Sequence, residues 1–243
     1  MSEPQQSITP VTDGDILPNL HPEAYTDAPA SPDPAEHAAQ QEQEREPRPV
    51  MALVVVDAQN DFSEGGSLAV RGAIAAYRRL GVYVAGRANK YPVLVTTRDN
   101  HIDPGAHFSD QPDFVDSWPV HCVADTDGAE LHPEVQRSLD LFEKVNPHAV
   151  RIDVTKGEYS AAYSGFEGRT GTGRLLADAL RDAGVEELHV CGVATDFCVR
   201  ATVLDGLREG FDVSVITDLV AAVSTEGGAK ALDEMAAAGA VLV

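Results

Sequence analysis

Met51–Val56 is six apolar residues in a row, Met-Ala-Leu-Val-Val-Val. A run this short and β-branched suits a strand buried on both faces, which is the situation of a strand inside a parallel sheet. Similar runs recur at Val93–Thr97, more weakly at Val150–Val154, and then at Leu188–Val193, Val213–Thr217 and Val241–Val243. Helical spacing fills the gaps between them. Ile74, Tyr77, Leu80 and Val84 mark one helix; Leu175–Leu180, Cys198–Leu207 and Ala229–Ala238 mark others. Strand-helix alternation of this kind predicts an α/β fold, a three-layer αβα sandwich around a mostly parallel, roughly six-stranded sheet.

The first 49 residues are different. They carry ten acidic and two basic residues and nine of the 15 prolines, with no period of 2 or 3.6 among their apolar positions. Such a segment cannot bury enough apolar surface to offset its chain entropy. We expect residues 1–49 to be a disordered acidic Pro-rich tail and residues 50–243 to be the folded domain.

The formal net charge of −21 disfavours nucleic acid and anionic membrane surfaces as partners. No stretch has the ~20 apolar residues of a membrane span, and no basic-then-apolar leader opens the chain. Three cysteines, Cys122, Cys191 and Cys198, form no disulfide framework, so we expect a reducing, cytoplasmic location. A monomer and a homodimer both remain open.

In parallel sheets ligands lie beyond the carboxyl ends of the strands. The residues found there are chemically loaded. Asp57 follows the first strand. Asp99, His101, His107 and His121 follow the second. Lys156, one of only four lysines, follows the third. Cys198 follows the fourth, in the first turn of a helix that Thr195 or Asp196 could cap, where a helix N-terminus favours thiolate over thiol. A carboxylate beside a thiol can take its proton and later deliver it to a leaving amine. Lys156 facing both would hold them in anionic form. Four of the eight histidines lie between His101 and His132, and Asp-x-His spacing suits zinc, iron or manganese. Each residue alone has an ordinary structural explanation; convergence on one sheet edge favours a site. Cys191 and Cys122 read as structural, as do His132 and His148. The glycine-rich segment Gly168–Gly173 follows no strand and lacks dinucleotide spacing, so it reads as a flexible loop.

The stretches VVDAQNDFSEGGSLAV, TRDNHIDPGAHF, SWPVHC, TKGEYSAAYSGFEG and GVATDFCVRATVLD resemble the nicotinamidase/pyrazinamidase branch of the isochorismatase-like hydrolases. The resemblance runs from about Met51 to Val243. It implies a catalytic triad of Asp57, Lys156 and Cys198, and one divalent metal ion on Asp99, His101 and His121, with His107 as a less constant ligand. It implies a cis peptide at Val193–Ala194 and an oxyanion hole from the backbone N–H groups of Ala194 and Cys198. Phe62, Trp118 and Tyr163 match residues that sandwich an aromatic ring; Phe197 stands where relatives vary and is assigned no role. The expected reaction is hydrolysis of nicotinamide, and of pyrazinamide, to the acid and ammonia, as part of NAD salvage. The alternatives are another amidohydrolase of this family and a non-catalytic binding protein on the same fold.

Overall fold

The computed structural model describes residues 49–243. The tail expected over residues 1–49 lies, except for Pro49, outside the described residues. One seven-stranded sheet organises the rest. Its strands are β1 (Met51–Val56), β2 (Val93–Asp99), β3 (Val150–Lys156), β4 (Arg169–Thr170), β5 (Glu187–Val193), β6 (Asp212–Ala221) and β7 (Val241–Leu242), in the order β4-β3-β2-β1-β5-β6-β7. Every pairing is parallel except β3 with β4. Five α-helices cover it: α1 (Ala73–Arg87), α2 (Pro133–Val145), α3 (Leu176–Asp182), α4 (Arg200–Arg208) and α5 (Thr225–Ala237).

β1 is central because it can be buried on both sides. Its alternate residues feed two cores, as the period of two requires. Leu53 and Val55 pack with Tyr77 and Leu80 of α1 and Leu139 and Phe142 of α2. Ala52, Val54 and Val56 pack with Leu176 and Leu180 of α3, Val203 of α4 and Met235 of α5. Three layers follow directly, as the sequence implies.

Three local features differ from the expectations. Residues 169–170 of the glycine-rich segment form the two-residue strand β4 rather than a flexible loop, which is why the sheet has seven strands. Helix α2 was not anticipated. Its start is visible in hindsight: His132 is the N-cap, its Nδ1 accepting from Glu134 N at 3.2 Å, and Pro133 occupies the first helical position. β2 and β3 also run two residues further, which carries Asp99 and Lys156 into hydrogen-bonded strand positions facing one another. Among the described residues no helix is long and apolar enough to cross a membrane.

Strands are added on one side of β1 as far as β4 and on the other side from β5 onward, so a crevice opens where Asp57 and the turn after Val193 leave the sheet. Gly192 makes this crevice possible. Its φ is +112°, and a Cβ there would lie 2.1 Å from Val56 O. Gly192→Ala should therefore cost at least about 2 kcal/mol in urea-unfolding stability, since backbone must move to accept the methyl. Gly171→Ala, where a Cβ meets nothing within 4 Å, should change stability by less than about 0.5 kcal/mol.

Candidate active site

Asp57 sits just past β1, fully buried, with φ +44°. Thr97 of β2 fixes it twice: Asp57 N donates to Thr97 Oγ1 at 3.2 Å, and Thr97 Oγ1 donates to Asp57 Oδ1 at 2.7 Å. Asp57 Oδ2 has no well-aligned hydrogen bond. It rests 2.9 Å from Lys156 Nζ in ion-pair contact. The Lys156 ammonium, buried at the end of β3, also donates to Asp99 Oδ1, to Ala162 O at 3.1 Å, and toward Cys198 Sγ at 3.8 Å. The expected triad is thus assembled, with Asp99 as an additional member.

Burial and charge pull on these groups in opposite directions. Burial raises the Asp57 carboxyl above the usual carboxylate range, more than Lys156 and Thr97 lower it. Burial would raise Asp99 as well, but Lys156 and His101 outweigh it and hold Asp99 ionised. Burial would lower Lys156, yet Asp57 and Asp99 together hold it well above its ordinary value. The Cys198 thiol is pushed well up by burial, against the attraction of Lys156. Burial thus works against the thiolate that Lys156 favours, which leaves removal of the thiol proton to Asp57, the base expected from the sequence.

The turn that carries Cys198 also differs in detail. Thr195–Val199 is a π-turn leading into α4, closed by Val199 N donating to Ala194 O at 3.1 Å, and no side chain caps it. Asp196 instead accepts from Val223 N at 2.9 Å and Ser224 N at 3.1 Å, tying this turn to the loop before α5. The Val193–Ala194 peptide is cis. Among the described residues Ala194 N donates to no backbone carbonyl, so it is free to receive an oxyanion beside Cys198.

Asp99 has a second oxygen, and it faces the histidines. Oδ2 lies 3.7 Å from His101 Nε2 and 3.9 Å from His121 Nε2. His101 Nδ1 must donate to Gly157 O at 2.6 Å, and His121 Nδ1 to Pro119 O at 2.7 Å, because a carbonyl can only accept. Both Nε2 atoms are left with lone pairs pointing inward, as metal-ligating histidines require. His101, His107 and His121 each bring one nitrogen within 4.8 Å of the others. His101 Nε2 and His107 Nδ1 are buried without a hydrogen-bond partner. Burial and the neighbouring histidines lower His107 to about 4, so it is neutral and able to ligate at pH 7. Buried, unpartnered nitrogens beside an ionised carboxylate fit a divalent cation.

Both clusters open into one cavity with about 430 Å³ of empty space, lined among others by Phe62, Trp118, Tyr163, Ala194 and Cys198. Trp118 Nε1 donates to Tyr163 OH at 3.0 Å, and the Phe62 ring lies 5.5 Å from that of His121. All eleven sequence-predicted site residues are thus within or directly against this cavity and its two clusters.

The isochorismatase domain model matches residues 51–243. The chain belongs to the isochorismatase family. It is 47% identical over 192 residues to the nicotinamidase/pyrazinamidase of Mycobacterium tuberculosis, covering 79% of this chain and 97% of that protein. The crystal structure of the pyrazinamidase of Pyrococcus horikoshii in complex with zinc is similar with TM-score 0.64 and 37% identity, over 80% of this chain and 99% of that one. The structure of PnC1 from L. infantum in complex with nicotinate is similar with TM-score 0.62 and 31% identity, over 80% and 92%.

Sequence reasoning passed over several residues of this isochorismatase-family site. Thr97 orients Asp57. Phe197 walls the cavity, edge-on to Trp118 at 4.9 Å and 90°. Gln59 is fully buried; its Nε2 donates to Asp99 O and Ala129 O at 2.8 Å each, and its Oε1 accepts from Asp99 N at 2.8 Å. The available signal was an amide three residues beyond a buried strand. Cys122 and Cys191 behave as expected: burial raises both thiols, Cys191 to about 12. His132 caps α2, and His148 is exposed. Gln59→Leu keeps the volume but strands Asp99 N and two carbonyls. It should cost about 2–4 kcal/mol in denaturant unfolding, well above the cost of a surface Gln→Leu change.

Proposed function

We propose that this chain is a metal-containing cysteine amidohydrolase that converts nicotinamide to nicotinate and ammonia, and takes pyrazinamide as well. The observation that carries the proposal is the sharing of Asp99. One oxygen meets the Lys156 of an Asp57–Lys156–Cys198 triad; the other faces a histidine cluster that opens on the same cavity. The nicotinamidase/pyrazinamidase names and the nicotinate complex of its relatives support the choice of substrate.

In this mechanism Asp57 takes the Cys198 proton through Oδ2, the oxygen without a hydrogen bond. The sulfur attacks the carboxamide carbon, and the backbone N–H groups of Ala194 and Cys198 receive the oxyanion. Asp57 returns the proton to the amide nitrogen, and ammonia leaves. A water, deprotonated by Asp57, then opens the thioester, releasing nicotinate and restoring the thiol. Lys156 stays protonated throughout and balances whichever of Asp57 and Cys198 is anionic. Phe62, Trp118 and Tyr163 hold the ring. Asp99, His101 and His121, with His107, would hold the ion, which when bound supplies a Lewis-acidic position for the pyridine nitrogen. The set of imidazoles and one carboxylate suits zinc, iron or manganese. The free cysteines and the net charge of −21 support a cytoplasmic enzyme of pyridine-nucleotide salvage, with a small-molecule substrate and no nucleic-acid or membrane partner.

Ammonia release from nicotinamide is the primary test; none at all would defeat the proposal in favour of another amide or a binding role. Cys198→Ala should lower turnover by more than about a thousandfold in a protein that still folds. Asp57 must be ionised to act as base, so activity is lost as pH falls through its raised pKa. Thr97→Val removes a hydrogen bond that lowers that pKa. The acidic limb of kcat/KM should therefore move to higher pH, and a limb that stays put would show that Asp57 is not the base. Chelation, or His101→Ala, should reduce bound metal below one ion per chain. It should also lower nicotinamide hydrolysis by a larger factor than benzamide hydrolysis, because benzamide has no ring nitrogen. Equal losses for the two amides would rule out orientation of the ring nitrogen as the role of the ion.

A further inference from the structure

Phe197 has a use that neither the triad nor the metal cluster gives it. It lines the catalytic cavity and also an outer groove open to solvent. Val223 does the same. These two residues are the ones that border both spaces. Beyond them the groove is bounded by exposed Phe114, by Lys230, and by an Arg200–Glu234 ion pair at 2.7 Å.

The wall is held from two directions. On the cavity side Phe197 meets Trp118 edge-on, and its ring centroid is 6.2 Å from that of Tyr163. The Trp118 ring is itself fixed by its hydrogen bond to Tyr163. On the groove side Asp196 holds the Val223 loop through the two backbone donors described above, and Ser224 caps α5 by accepting from Gly227 N at 2.9 Å. Gly227 has to be small there, since a Cβ would lie 2.7 Å from Asp196 Oδ2 and 2.6 Å from Ser224 Oγ.

We propose that Phe197 is a specificity-determining residue, which with Val223 closes the catalytic cavity against the outer groove and so excludes aromatic amides whose ring bears a substituent directed at that wall. Removing the ring joins the two spaces and extends the substrate class to substituted aromatic amides, with the substituent lying in the groove. This rests on the amidase reading above. The expected gain follows from how hydrophobic walls discriminate: one extra methylene against a fitted wall changes kcat/KM by roughly 10- to 200-fold.

The test compares the unmutated enzyme with Phe197→Ala and Phe197→Leu. Nicotinamide is set against nicotinamides methylated singly at each free ring carbon, and kcat/KM is measured by ammonia release. For Phe197→Ala the ratio of substituted to unsubstituted substrate should rise at least tenfold for at least one position, with a smaller rise for Phe197→Leu. A parallel measurement needs no amidase activity: alkylation of Cys198 by N-benzyliodoacetamide relative to iodoacetamide, read by peptide mass mapping. That ratio should also rise at least tenfold in Phe197→Ala. If Phe197→Ala does not fold, Phe197→Leu decides, with a threefold rise in either ratio expected. Ratios within twofold of the unmutated enzyme in both measurements would overturn the proposal. An unmutated enzyme that releases no ammonia from nicotinamide would defeat the amidase reading alone, and the alkylation ratio would still decide the role of Phe197.

Discussion

A single buried ammonium holds this site together. Lys156 is removed from water at the end of β3 and touches two carboxylates that come from different strands. An isolated buried cation costs several kcal/mol, so Lys156 can be there only because Asp57 and Asp99 are there, and the reverse is equally true. The requirement reaches outward. Asp57 is aimed by Thr97, Asp99 is clamped through its backbone by Gln59, and the remaining Lys156 donor is taken by Ala162 O. None of these contacts is local in sequence except the last. They exist because the parallel register of β1, β2 and β3 brings the carboxyl ends of three strands level with one another.

The sheet order explains why the nucleophile arrives at the same place. β1 has β2 on one side and β5 on the other, and the turns leaving β1 and β5 border the same crevice. Burial of the thiol there raises its pKa, which keeps it protonated until a base takes the proton. The base is the carboxyl that the same burial has raised. Low polarity thus acts on both partners at once, and the proton can pass between them without either being stabilised permanently as an anion.

The architecture was largely legible because apolar runs such as Met51–Val56 and Leu188–Val193 have no other stable use than a doubly buried strand. The site was legible as far as the rule about strand ends reaches: Asp57, Asp99, Lys156 and Cys198 all obey it. What could not be read had a non-local cause. β4 is two residues paired to β3, and nothing in Arg169–Thr170 itself specifies a strand. The state of Cys198 depends on how deeply the fold buries it, which a motif does not encode. Asp196 looked like a cap for the turn it occupies, but the partners that won are the N–H groups of Val223 and Ser224, more than 25 residues further on. Helix α2 was a different failure, since His132-Pro133 and the spacing of Val135, Leu139 and Phe142 were present to be read.

The position of Lys156 also bears on where a divalent cation would be held in the proposed enzyme. Among the described residues two groups of donors are close enough to hold one: His101, His107 and His121, and separately Asp57, Asp99 and Cys198. The second group already surrounds an ammonium, which lies within 4 Å of a donor atom of each of its three members. A further cation there would have to expel Lys156 from both of its carboxylate partners. The histidine group holds no lysine or arginine, and His101 Nε2 and His107 Nδ1 are buried there without a partner. Asp99 therefore divides its two oxygens between two cations of different kinds, the fixed ammonium on Oδ1 and the proposed metal toward Oδ2. The separation matters chemically. Cys198 lies on the ammonium side, so its sulfur stays free to attack carbon, whereas a sulfur within reach of a bound zinc would be held as a ligand.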